Sequence, residues 1–130
     1  MTKNDILEYI NLFPYNKHDY WLITGAAMVL YGIKDHTSDI DMGCTTSMAD
    51  QLEKAGYAYK VTESGNRWFK YNEQIEIFEN WINDTVTEIN GIPVITLQGL
   101  LEMKQELGRE KDLKDIKLVQ DYMMQPDINF

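Results

Sequence analysis

The sequence predicts an α/β fold: a short mixed β-sheet flanked by helices, with a helical C-terminal end. Three observations lead there. Short β-branched and aromatic runs alternate with stretches of helical period, and Gly, Pro or Asn punctuates the boundaries. The 130 residues are 44% apolar and 25% charged, the balance of an ordinary globular domain. Neither an internal repeat nor a low-complexity linker interrupts them, so one domain over 1–130 is expected.

The elements follow in order. Ile6, Leu7, Ile10 and Phe13 recur at helical spacing over Asn4–Phe13, with Asn4 or Asp5 as the cap and Pro14 as the stop. Tyr20–Thr24 reads as a buried strand broken by Gly25, and Ala26–Gly32 as a short helix with Gly32 as a left-handed cap. Ser38–Cys44 alternates polar and apolar residues and reads as a strand. Thr46–Ala55 reads as a helix capped by Thr46 or Ser47. Tyr57–Thr62 and Trp68–Tyr71 pair as strands about Ser64-Gly65-Asn66. Gln74–Trp81 alternates strongly as a further strand. Asn90-Gly91 supplies the positive φ angles of a type I′ turn, joining Val86–Ile89 to Ile92–Ile95. Thr96 opens a helix stopped by Gly108. The last helix, Glu110–Met123, is expected to bury Leu113, Ile116, Leu118, Val119 and Tyr122 before Pro126 ends it.

Composition limits function. A single cysteine, Cys44, forms no internal bridge and suits a small core position in a reducing cytoplasm. No apolar run approaches the ~18 residues of a membrane span, so a cytoplasmic protein with no membrane partner is expected. The net charge of −9 opposes non-specific DNA binding, which relies on neutralising phosphates. A nucleotide carried with divalent cations is compatible with it.

The chemistry concentrates in LITGAAMVLYGIKDHTSDIDMG. Asp39 and Asp41 lie two apart on one strand, so their carboxylates leave the same face. Like charges so placed call for a cation between them, and hard oxygen donors suit Mg²⁺ or Mn²⁺. Upstream, Gly25 ends a strand where a helix begins, and the free N–H groups there form an anion site. A phosphate clamp beside paired carboxylates is what metal-assisted phosphoryl or nucleotidyl transfer requires.

These residues resemble the signature of the polymerase-beta-like nucleotidyltransferases: Thr24-Gly25-Ala26, a spacer, then Asp39-Ile40-Asp41. In Ile75-Glu76-Ile77-Phe78, Glu76 matches the family's third metal-binding carboxylate. The tail VITLQGLLEMKQELGREKDLKDI looks like the closing segment of small stand-alone members through Lys104, Arg109, Lys111 and Asp112. Lys34 sits where the family often carries a basic residue. Two positions depart from the pattern: Ala26 replaces Gly or Ser, and Glu76 replaces the commoner Asp.

The resemblance implies a nucleotidyltransferase fold and a metal pair held by Asp39, Asp41 and Glu76. Gly25, Ala26, Lys34, Arg109 and Lys111, with Lys104 as a further candidate, would contact an NTP donor. It implies transfer of a nucleoside monophosphate to a hydroxyl acceptor: an antibiotic, a protein side chain or a tRNA end, the last as in toxin–antitoxin members. A homodimer or partner protein would complete the cleft. Two alternatives stand beside it: a catalytically silent member that binds nucleotide or a partner, and an unrelated interaction module with an incidental Asp-Ile-Asp. For single residues, an interleaved tail of charges reads as a solvated face. Trp21, Trp68 and Trp81 read as core packing, with base stacking the lesser alternative for Trp68, and His36 as an idle loop residue.

Overall fold

A computed structural model describes residues 1–81 and 86–124. Its order is α1 (Lys3–Asn11), β1 (Tyr20–Ile23), α2 (Thr24–Tyr31), β2 (Ile40–Cys44), α3 (Thr46–Lys54), β3 (Tyr59–Val61), β4 (Arg67–Lys70), β5 (Ile75–Glu79), β6 (Val86–Ile89), β7 (Ile92–Ile95), α4 (Leu97–Leu107) and α5 (Glu110–Met123). Among the described residues the strands form one mixed sheet in the order β3-β4-β5-β2-β1-β7-β6. The β2–β5 and β1–β7 pairs are parallel and the others antiparallel. Pro126 lies outside the described residues.

Alternation sorts the side chains between the two faces. Leu22, Met42, Ile77 and Phe69 come from β1, β2, β5 and β4 and are fully buried on one face. They join Ile6 and Ile10 of α1, Ala27 and Val29 of α2, and Met48 and Leu52 of α3 in one hydrophobic cluster. Cys44 belongs to this core, and burial pushes its thiol up to about 12, so it is chemically quiet. The opposite face carries Asp41 and Gly43, Glu76 and Phe78, and Trp68 and Lys70 in register.

Several termini differ from expectation by a residue or two. Thr2 caps α1 in a capping box with Asp5, where Asn4 or Asp5 was expected. Thr45 caps α3 in place of Thr46 or Ser47. β2 begins at Ile40, so Asp39 stands just ahead of the strand. β3 is shorter than Tyr57–Thr62. The Asn90-Gly91 turn has the two positive φ angles its sequence requires, +53° and +78°.

The largest correction concerns α5. Leu113 and Leu118 are 60% and 41% exposed, whereas Asp112 and Asp115 are buried beside Val119. Ion pairing decides which face turns inward. Lys104 on α4 is itself buried, and its Nζ lies 2.9 Å from Asp115 Oδ2 and 3.4 Å from Asp112 Oδ1. Of the charges read as a solvated face, Lys104, Asp112 and Asp115 are therefore part of the α4–α5 interface, whereas Glu102, Glu106, Glu110 and Lys111 are exposed.

Gly43 has a packing reason. A Cβ built on it would meet the Trp21 indole at 2.2 Å, and that indole donates from Nε1 to the Trp81 carbonyl at 2.9 Å. Gly43→Ala is expected to displace the ring and destabilise the fold by about 1–3 kcal/mol. A lower melting temperature together with an altered near-ultraviolet indole signal checks this.

On the core side of the sheet, Arg67 grips Glu79 through Nε and Nη2 at 3.1 and 2.8 Å and reaches Asp50 and Glu53 of α3. Those bonds hold the Glu79 carboxyl down to about 2, against an ordinary 4.5. The stabilisation is complete above pH about 4.5 and disappears as pH falls toward 2, on the order of 2–3 kcal/mol in all. Denaturant melts across that window are expected to show this loss in the wild type and a flatter profile in Glu79→Gln.

Candidate active site

The open face of the sheet meets α4 and α5 at a cleft of about 660 Å³. Its floor includes Asp39, Asp41 and Glu76. Asp41 and Glu76 are register partners on the parallel strands β2 and β5, roughly one strand spacing (~4.8 Å) apart and pointing the same way. Asp39, at the entry to β2, is exposed. Burial pushes the Asp41 carboxyl up to about 6, and the charges of Asp39 and Glu76 add to the push. Thr24 and Lys104 pull the other way. Asp41 Oδ2 accepts from Thr24 Oγ1 at 3.0 Å, whereas Oδ1 is buried without a partner.

On one flank, β1 runs directly into α2. Thr24 begins the helix at φ +51°, a region that β-branched residues rarely enter, at a cost of order 1–3 kcal/mol. The first N–H groups of α2 have no partner within the helix. Gly25 lines the cleft, but its glycine identity has a second reason: a Cβ there would stand 2.8 Å from Thr37 Oγ1. The Ala26 side chain is fully buried and does not line the cleft. What this residue offers is its backbone N–H.

Lys34, Lys104, Arg109, Lys111 and Lys114 form a cationic wall, with the Asp115 carboxylate set among them. Much of its charge is already engaged. Lys34 Nζ pairs with Asp115 Oδ1 at 2.9 Å, and Lys104 bridges Asp115 to Asp112. Arg109 clamps Asp112 at 2.6 and 3.1 Å. The Arg109 bonds hold the Asp112 carboxyl down to about 2 against the effect of burial. Burial would raise Asp115, but Lys34 and Lys104 overcome it and keep this carboxyl below its usual range. Lys111 and Lys114 are exposed at the rim.

The opposite flank is aromatic. Trp68 stacks on Phe78 with ring centres 5.5 Å apart, and Trp81 meets Phe78 edge-on at 4.9 Å. Trp68 and Trp81, read from the sequence as core, are only partly buried and line the cleft; Trp21 is buried. Sequence reasoning does not single out Thr24, Phe78 or Trp81 as cleft residues, and it favours packing over base stacking for Trp68. Alternation with Glu76 on β5 was the available signal for Phe78.

Among the described residues, no three Asp, Glu, His or Cys side chains converge into a ready metal cage. The donor set nevertheless fits Mg²⁺ or Mn²⁺, which take one or two carboxylates and complete their shell with water and substrate phosphate. The orphaned Asp41 Oδ1 is the observation that supports the fit.

The fold is that of the nucleotidyltransferases. Three solved structures share it. Thermotoga maritima TM1012, assigned as a nucleotidyltransferase, aligns with a TM-score of 0.64 at 14% identity, covering 94% of this chain and 96% of its own. The lincosamide antibiotic adenylyltransferase LnuA, solved with lincomycin, gives 0.51 at 20% identity over 90% and 91%. ANT(2")-Ia, solved with adenylyl-2"-tobramycin, gives 0.57 at 13% identity over 94% and 86%. No protein-family model matches the sequence, and no curated protein matches it significantly. Among the described residues, no helix is long and apolar enough to cross a membrane.

Proposed function

We propose that this chain is a metal-dependent nucleotidyltransferase that moves a nucleoside monophosphate from an NTP to a hydroxyl acceptor and releases pyrophosphate. The observation that carries this reading is the in-register Asp41–Glu76 pair, open to a cleft between a helix N-terminus and an aromatic wall. Bound Mg²⁺ or Mn²⁺ would neutralise phosphate charge and acidify the acceptor hydroxyl.

The order of the strands orients the substrates. The N-terminus of α2 lies beyond Asp41 on the β1 side, so Thr24, Gly25 and Ala26 offer their N–H groups to the triphosphate. Lys34, Lys111 and Lys114 add positive charge at the departing pyrophosphate. Glu76 lies on the aromatic side, placed to take the acceptor's proton. The acceptor oxygen then attacks the α-phosphorus in line, and the bond to the bridging oxygen breaks. Trp68, Phe78 and Trp81 give the acceptor a flat apolar surface to rest on.

The test is pyrophosphate release from each NTP with Mg²⁺ or Mn²⁺, in the presence of a panel of hydroxyl acceptors that includes lincomycin and tobramycin. Acceptor-dependent release supports the proposal. Nucleotide binding without release from any pair defines a catalytically silent protein instead.

A further inference from the structure

We propose that Thr24 is a positioning residue that sets the metal-binding carboxylate of Asp41, and this rests on the metal-dependent reading above. Three observations converge on it. The Thr24 hydroxyl donates to Asp41 Oδ2 at 3.0 Å. The other carboxylate oxygen, Oδ1, is buried and has no partner, so this one bond decides which oxygen stays free. Thr24 also holds φ +51°, which a β-branched side chain rarely adopts, at the junction where β1 becomes α2.

The strained junction and the hydroxyl act together. In register, Ile23 faces Asp41 across the β1–β2 pair, so the residue after Ile23 is the first able to turn back toward that carboxylate. The left-handed backbone at Thr24 makes this turn and starts the helix in one step. A hydroxyl donor fixed to one oxygen restricts rotation of the carboxylate and presents the other to an incoming cation. Groups that orient a ligand in this way change metal affinity about 10–100-fold when removed.

The experiment measures Mn²⁺ binding by electron paramagnetic resonance with a non-hydrolysable ATP analogue, alongside the melting temperature. The chains compared are wild type, Thr24→Val, Thr24→Ser and Thr24→Gly. Thr24→Val keeps the shape and the backbone strain but removes the donor. It is expected to weaken Mn²⁺ binding by at least about 10-fold, with a lower melting temperature because the buried carboxylate loses its donor. Thr24→Ser is expected to recover most of the affinity. Thr24→Gly relieves the backbone and is expected to melt higher than the valine variant, yet to bind Mn²⁺ as poorly. Equal Mn²⁺ affinity in wild type and Thr24→Val overturns the role of Thr24 and leaves the enzyme reading standing. Absence of Mn²⁺ binding in wild type overturns both.

Discussion

Asp41→Asn is expected to abolish the proposed nucleotidyl transfer while making the metal-free protein more stable. Asp41 is a mostly buried carboxylate with one unpartnered oxygen, facing Asp39 and Glu76. Asparagine keeps an acceptor for Thr24 but removes the charge that burial and the neighbouring carboxylates oppose. The sign follows from linkage. A carboxyl raised from 3.8 to about 6 favours the folded state while protonated. Its contribution declines as pH rises from about 4 to about 6, and above that the full penalty applies. At pH 7 the substitution should therefore recover on the order of 1–3 kcal/mol, read as a rise of several degrees in melting temperature without metal. Activity should fall by about 10³-fold or more, because a ligand for the charge-neutralising cation is lost. Mn²⁺ should then raise the melting temperature of wild type and not of the variant. A variant that melts lower than wild type at neutral pH would contradict this account of Asp41.

Lys104→Met is expected to produce the largest loss of stability. Lys104 is 4% exposed, and its ammonium lies between Asp115 and Asp112, both buried. Methionine fills much of the volume but leaves the two carboxylates to Lys34 and Arg109 alone. Removing one partner from a buried ionic group typically costs about 3–5 kcal/mol. The remaining partners place this case near the lower end, roughly a 10 °C fall in melting temperature for a domain of this size. Adding Asp115→Asn should restore part of the loss, since it removes an uncompensated charge. A single variant within about 1 kcal/mol of wild type would show that the network does not hold α4 to α5.

Local chemistry was legible in the sequence, and distant chemistry was not. The Asn90-Gly91 turn and the caps at Gly32 and Gly108 follow from residues that favour positive φ, so they needed no tertiary information. The alternation of Ile75-Glu76-Ile77-Phe78 assigned its faces for the same reason. The buried face of α5 was not legible, because it depends on Lys104 and Lys34, which belong to other elements. Taken alone, the helical spacing of Leu113 and Leu118 favours the wrong side. Thr24 was hidden because a strained backbone leaves no mark on composition. Trp68 and Trp81 looked like core because a large aromatic ring suits both an interior and the wall of a cleft.

The parallel pairing of Asp41 with Glu76 also bears on how the molecule is assembled. The two residues belong to strands separated in the chain by α3, β3 and β4, so they meet only after a long loop has closed. Loop closure of this kind is slow, and here it brings like charges together. A divalent ion that binds the finished pair would favour the closed state by mass action, adding its binding free energy to that of folding. The same counter-ion proposed for catalysis would thus add to the stability of the folded chain through the pairing at the centre of the sheet.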